Sequence, residues 1–192
     1  MVSIIIPVWG KYIRFLPDCL NSVFEQTYTD YEIVLVTTET DLPTARNVGI
    51  RRSNGEWIMI LDVDNKLSPE YLAKTVGKGD IVASYNQFFG DEEGIFSPAD
   101  NPTLEDMKSG NKIDANSIFR RGVWEAVGGY DESMKDGWED WEFWVRCLKA
   151  GYKITVIQEP ILFYRKHGHT LSADALARGN EIRKYVFEKN GL

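Results

Sequence analysis

Cysteine and histidine are scarce in this chain, two of each in 192 residues. Cys19 and Cys147 stand far apart in segments of helical periodicity, so they read as small buried apolar residues, not as a disulfide framework or a zinc site. Long apolar runs are missing too, and nothing approaches the roughly 18 residues that a bilayer span requires. The run Val2–Ile6 is too short for a signal-peptide core and has no basic leader. A soluble, cytoplasmic protein is therefore expected, with peripheral membrane association still open to it. Positive charge is in deficit: 22 Lys and Arg against 29 Asp and Glu leave a net charge of -7. That balance argues against nucleic acid as the main partner. No internal repeat or linker divides the sequence, and its length suits one domain with a sizeable core.

What the chain does have is Asp62-Val63-Asp64, placed where the apolar run Trp57-Ile58-Met59-Ile60-Leu61 stops. After it, Ser68-Pro69-Glu70 offers an N-cap followed by proline at the first helical position. Two carboxylates two residues apart at a strand end can point into one space. Their repulsion can be offset by a divalent cation, which a diphosphate-bearing substrate also needs. A solvated acidic turn is the plainer reading of the same three residues.

Strand-like and helix-like segments alternate through the first half. Val2–Val8, Glu32–Val36, Glu56–Leu61 and Ile81–Ser84 read as strands. Leu16–Phe24, Pro43–Arg52 and a stretch from Pro69 read as the helices between them. This order implies an α/β fold with a mostly parallel twisted sheet, helices on both faces, and a Rossmann-like N-terminal half. Gly90–Gly110 reads as an irregular surface excursion whose acidic clusters are solvated. Beyond it we expect a strand at Ala115–Phe119, a short helix at Val123–Val127 and a helix at Trp138–Ala150. Two short strands at Lys153–Ile157 and Ile161–Tyr164 and a terminal helix at Ala173–Lys189 complete the reading. In such sheets ligands bind beyond the carboxyl ends of the strands, which is where Pro7–Trp9, Asp62–Asp64 and Tyr85–Gln87 fall.

A second acidic site opens the helix at Trp138-Glu139-Asp140-Trp141-Glu142. On a helical wheel Trp141, Trp144, Val145 and Leu148 share one face, and Glu139, Glu142, Arg146 and Lys149 gather opposite. Glu139 is thus expected in solvent or paired with Arg146. Asp140 lies at the flank of the apolar face. The helix N-terminus favours its anion while desolvation raises its pKa, a combination that suits a general base as well as a plain helix cap.

Taken together, these segments resemble the family 2 glycosyltransferases, which have the GT-A fold and use nucleotide-activated sugars. The resemblance rests on seven elements in order over nearly the whole chain. They begin with Val2-Ser3-Ile4-Ile5-Ile6-Pro7-Val8-Trp9, Leu20-Asn21-Ser22-Val23 with Gln26-Thr27-Tyr28, Ala45-Arg46-Asn47-Val48-Gly49, and Asp62-Val63-Asp64. Phe119-Arg120-Arg121 with Val127-Gly128-Gly129-Tyr130-Asp131, Glu139-Asp140-Trp141-Glu142 and Tyr164-Arg165-Lys166-His167 follow. The resemblance implies a metal-assisted, inverting transfer of a sugar from a nucleotide-diphosphate donor to the hydroxyl of a sugar or glycoconjugate acceptor, as in polysaccharide synthesis. It implies that Asp64 holds Mn²⁺ or Mg²⁺ on the diphosphate, that Asp62 contacts the ribose or assists at the metal, and that His167 completes the metal site. Asp140 is the implied base. Pro7, Val8, Thr37, Glu39, Arg46, Asn47 and Val63 are expected around the nucleotide sugar, and Trp138, Glu139 and Arg120 on the acceptor side. Residues 1–89 would form the nucleotide-sugar half and 111–192 the acceptor and catalytic half.

One segment departs from the family. Where members carry Asp-Asp-Gly-Ser after the second strand, this chain has Thr37-Thr38-Glu39-Thr40-Asp41. With the two carboxylates gone, the preferred base is open, and Glu39 is a candidate to compensate. The same change motivates a second reading, a nucleotide-sugar-binding module of the same fold without turnover. A nucleotidyltransferase is a third reading, disfavoured because no Gly-rich basic loop follows the first strand.

Overall fold

Val2–Val8 forms β1 near one side of an eight-stranded sheet, and all seven of its residues are buried. The computed structural model describes residues 1–37, 41–135, 137–168 and 178–192. A 3-10 turn at Gly10–Phe15 leads into α1 (Leu16–Phe24), followed by β2 (Tyr31–Thr37), α2 (Leu42–Arg52) and β3 (Trp57–Ile60). Next come β4 (Lys66–Leu67), α3 (Tyr71–Thr75), β5 (Ile81–Gly90), β6 (Gly94–Phe96) and α4 (Leu104–Lys108). The described chain ends with β7 (Ile118–Arg120), α5 (Arg121–Val127), α6 (Glu139–Lys149), β8 (Ile154–Lys166) and α7 (Gly179–Asn190).

Strand order is β2-β1-β3-β7-β5-β8-β4, with β6 on the outer part of β5. β1 runs parallel to β2 and β3, and β5 parallel to β8, while β7, β6 and β4 run against their neighbours. Alternation along the strands divides the core in two. Ile5, Ile58, Ile60 and Phe119 face one layer, with Ala45 of α2, Val123 of α5, Trp144 of α6 and Val186 of α7. Ile4, Ile6, Met59 and Leu61 face the other, with Val23 of α1 and Leu72 of α3. Being covered on both faces is why these strands read as unbroken apolar runs.

Several sequence expectations change. Ser68-Pro69-Glu70 does not cap a helix from Pro69. Its backbone is held as an extension of β4, with the Ser68 amide donating to Ile161 O at 2.9 Å, and α3 begins only at Tyr71. The excursion after Gly90 contains β6 and α4, and Asp106 is not simply solvated but closes a capping box with Thr103. The two strands expected at 153–164 are one strand, β8, carrying a bulge opposite Ser84 and Tyr85. The terminal helix is described from Gly179, and the 173–177 part of the expectation lies outside the described residues.

Candidate active site

The carboxyl ends of β1 and β3, the outer part of β5 and the N-terminus of α6 surround a cleft of about 650 Å³. Pro7, Val8, Arg46, Asp62, Val63, Asp64, Trp138, Glu139 and Asp140 all line it. Six carboxylates line the cleft against three cations, Arg46, Lys135 and Lys166.

Asp64 sits beside His167: Asp64 Oδ2 and His167 Nε2 are 3.0 Å apart, and the two side chains are 19% and 13% exposed. The imidazole is wedged against the rings of Tyr12 and Phe15, with centroids 5.8 and 5.5 Å away. Burial, and secondarily the Asp62 charge, push the Asp64 carboxyl above its ordinary value. A spacing of 3.0 Å also suits two adjacent ligands of an octahedral ion with metal–ligand distances of about 2.1 Å. An anionic oxygen and an imidazole nitrogen are suitable donors for Mn²⁺ or Mg²⁺, so this pair fits the expected metal site. Asp62 does not join it. Its Oδ1 accepts from Arg46 at 3.0 Å and its Oδ2 from Asn116 at 3.1 Å. Among the described residues no third His, Cys, Asp or Glu converges on the pair.

Arg165 points away from the cleft and does not line it. Its guanidinium stacks between Phe15 and Phe89, donates to Asp64 O at 2.9 Å and pairs with Asp18, so it braces the acidic turn from behind. Lys166, one residue on, lines the cleft.

Arg46 joins the two acidic sites. It is 1% exposed, and its guanidinium bridges Asp62 at the end of β3 and Glu139 at the start of α6. Glu139 therefore departs from the wheel expectation: it is 4% exposed and bound to Arg46, not solvated or paired with Arg146. Glu142 departs likewise, being fully buried between Arg146 and Lys189. The wheel misses both because distant segments cover that face, Lys189 of α7 meeting Glu142 and Arg46 of α2 meeting Glu139.

Asp140 is half-buried in the first turn of α6. Desolvation, and after it the neighbouring Glu139 charge, raise its carboxyl to about 7. Asn111 Nδ2 donates to Asp140 Oδ2 at 2.7 Å and fixes its orientation. The turn before it is tightly formed: Gly137 has φ +98° and Trp138, the N-cap, φ +60°. A bulky residue in the left-handed region is strained, and here it sets the direction in which α6 presents Asp140.

Sequence reasoning missed Asp114, Asn111 and Asn116. Asn116 Oδ1 accepts the Asp62 amide at 2.6 Å while its Nδ2 donates to Asp62 and Asp114. Burial pushes the Asp114 carboxyl up to about 6. The visible signal was Asp114-Ala115-Asn116 before an apolar strand, an Asx turn in which the Asn116 amide donates to Asp114 Oδ1 at 2.8 Å. Its partner, Asp62, is 54 residues away.

Three expected residues are not brought to the cleft. Asn47 is 3% exposed and its amide is spent on Tyr130, Trp124 and Glu132, so it ties α2 to the turn after α5. Arg120 pairs with Glu56 and lies over Trp57 at the opposite end of the sheet. Because β7 runs against β3, its last residue falls beside the first residue of β3. Thr37 is exposed at the end of β2 and does not line the cleft. Glu39 lies outside the described residues.

Comparison with known proteins shows what the chain is similar to. The family model "Glycosyl transferase family 2" matches residues 37–81. An uncharacterized glycosyltransferase of Bacillus subtilis, YwdF, is 26% identical, covering 100% of this chain and 84% of its own length. Among solved structures, S. aureus TarS residues 1–349 in complex with UDP-GlcNAc superimposes with a TM-score of 0.74 at 16% identity, covering 90% of this chain and 60% of that one. The mannosyltransferase PcManGT of Pyrobaculum calidifontis, in complex with GDP-Man and Mn²⁺, gives 0.65 at 15% identity, covering 94% and 61%. The chain thus spans about 60% of the length of these two solved structures. No described helix is long and apolar enough to cross a membrane.

Proposed function

We propose that this chain, a family 2 glycosyltransferase with the GT-A fold, moves a sugar from a nucleotide-diphosphate donor to a hydroxyl acceptor with inversion at the anomeric carbon. The observation that carries the reading is one cleft lined by both Asp64, which His167 contacts at 3.0 Å, and a half-buried carboxylate, Asp140, oriented by Asn111. The UDP-GlcNAc and GDP-Man complexes of the superimposable proteins support a nucleotide-sugar donor. The acidic lining opposes an anionic donor on its own, so this reading requires a cation at the Asp64–His167 pair to screen the diphosphate.

Asp64 and His167 are the residues that would hold Mn²⁺ or Mg²⁺, which when bound supplies Lewis-acid charge at the diphosphate. Lys166 adds a fixed cation at the same cleft. Arg46 holds Asp62 and Glu139 in place and keeps the two carboxylates from repelling each other. Asp140 receives the proton of the acceptor hydroxyl as that oxygen bonds to the anomeric carbon. The bond from that carbon to the diphosphate breaks, and the nucleoside diphosphate leaves with the electron pair. Attack from the face opposite the leaving group inverts the centre.

A panel of nucleotide sugars with Mn²⁺ tests the reading, measuring binding and slow hydrolysis of each. We expect one donor to be hydrolysed and Asp64→Ala to lose that hydrolysis. Saturable binding without turnover against any acceptor would favour the inert module instead, and no binding to any member of the panel would sink both.

A further inference from the structure

Among the described strands β2 is the long free edge of the sheet. It pairs with β1 alone, while β4 and β6, at the other margin, are two and three residues long. Its sequence, Tyr31-Glu32-Ile33-Val34-Leu35-Val36-Thr37, has the composition of a strand buried on both faces. Yet Val36 is its one buried residue and Leu35 is 42% exposed, whereas every residue of β1 is buried. Nothing in β2 blunts this edge: it holds no lysine, no proline and no bulge, and Glu32 is its single charge.

The two faces of β2 are covered unequally. Val34 and Val36 lie in the layer of α2, with Ala45 and Ile50. Ile33 lies in the layer of α1, with Leu16 and Leu20, and alternation turns Leu35 the same way. α1 is held on one flank by Ser22 Oγ, which accepts the Leu67 amide of β4 at 3.1 Å. Leu16, Leu20 and Phe24 recur at four-residue spacing on the flank away from β4, and Phe24 is 63% exposed. Tyr31 Oη donates to Val23 O at 3.0 Å, which ties this end of α1 to the start of β2.

We propose that β2 is where two copies of this chain join, the strands running antiparallel about a two-fold axis at Val34 so that two sheets become one. Such pairing satisfies the outward backbone groups of β2, and the strand is complementary to itself. Centred on Val34, the register sets Ile33 opposite Leu35 of the second copy and Tyr31 opposite its Thr37. Glu32 falls opposite Val36, so no like-charged pair forms, and its carboxylate is already turned back onto Ser3, Asn54 and Gly55. Phe24, at the Tyr31 end, is brought toward Leu35 of the second copy. The two clefts, at the carboxyl ends of the strands, then open in opposite directions. Each copy keeps its own site, and the inference is independent of the transferase reading.

Sedimentation equilibrium over a dilution series tests it. We expect a monomer–dimer equilibrium that tightens with added salt, because each copy carries a net charge of -7. Leu35→Lys and Phe24→Lys, both at exposed positions, should each raise the dimer Kd by about tenfold or more. The register is read by mild oxidation of Val34→Cys, in which the new thiols lie opposite each other; Cys19 and Cys147 are buried and stay out of the reaction. Thr37→Cys sets its two thiols about 20 Å apart and should not cross-link. A monomer at every concentration overturns the proposal and leaves the edge to another protein. A dimer indifferent to both lysine variants, or one that cross-links through position 37 and not 34, overturns it as well. Should a lysine variant fail to fold, as judged by urea unfolding, the contrast between the two cysteine variants still decides.

Discussion

At the scale of single residues the site is governed by how much charge the first turn of α6 can keep from water. Asp140 stands beside buried Glu139, and its carboxyl keeps its proton until about pH 7. A base must be ionised to act, so transfer should rise through pH 7 and level off above it, as read from kcat against pH. Asp140→Asn should abolish transfer while leaving donor affinity largely intact; unchanged transfer would refute the assignment. The same shift has a stability consequence with a definite sign. A carboxyl whose folded pKa lies above its unfolded value stabilises the fold at low pH, and that contribution is lost as pH rises through about 7. The neutral amide of Asp140→Asn avoids that loss. Its unfolding free energy in urea should match the parent near pH 4 and exceed it above pH 7, by roughly 1–2 kcal/mol after screening by solvent. A variant that gains stability as it loses activity marks a carboxylate placed for function.

At the scale of elements, intrinsic propensity and packing give opposite answers at Gly49 in α2. Glycine inside a helix costs about 1 kcal/mol relative to alanine, so the sequence alone favours Gly49→Ala. The added Cβ, however, would lie 2.3 Å from Ile5 Cγ2 and 3.0 Å from Val36 Cγ2, where α2 crosses β1 and β2. We expect Gly49→Ala to destabilise by about 1–3 kcal/mol, measured by urea unfolding, because overpacking outweighs propensity. β1, β3 and α2 were legible because an apolar run buried on both faces and a helix with Asp41 as N-cap each carry a local signal. β4 and α3 were misjudged for a physical reason: Ser68-Pro69 carries a helix-start signal, yet its amide is taken by Ile161, nearly a hundred residues on. The bulge merging two expected strands into β8 is likewise a property of the pairing with β5.

At the scale of the whole molecule the difficulty is electrostatic. A chain of net charge -7 with a mostly acidic cleft must bind an anion. Donor affinity should therefore fall steeply when divalent ions are chelated and recover with Mn²⁺, as followed by isothermal titration. If the Asp64–His167 pair holds the ion only in the folded state, Mn²⁺ should also raise the melting temperature. The gain in unfolding free energy would be about 2.7 kcal/mol at a hundred times Kd, and it should be lost in His167→Ala. Donor affinity indifferent to chelation would argue that Lys166 and Lys135 suffice.

The sequence alone determined where the acidic motifs fall, at a strand end and a helix start, because apolar periodicity and caps are local. It also carried the seven ordered elements by which the family resemblance was read. Tertiary structure alone decided which side chains meet. Asp64 is paired with His167 and not with Asp62; Asn47 is a brace, and Arg120 lies at the far end of the sheet. Glu139 is locked to Arg46, and Asn116 holds Asp62. Such pairings depend on strand direction and on which helix face is covered, and both are fixed only when distant segments pack.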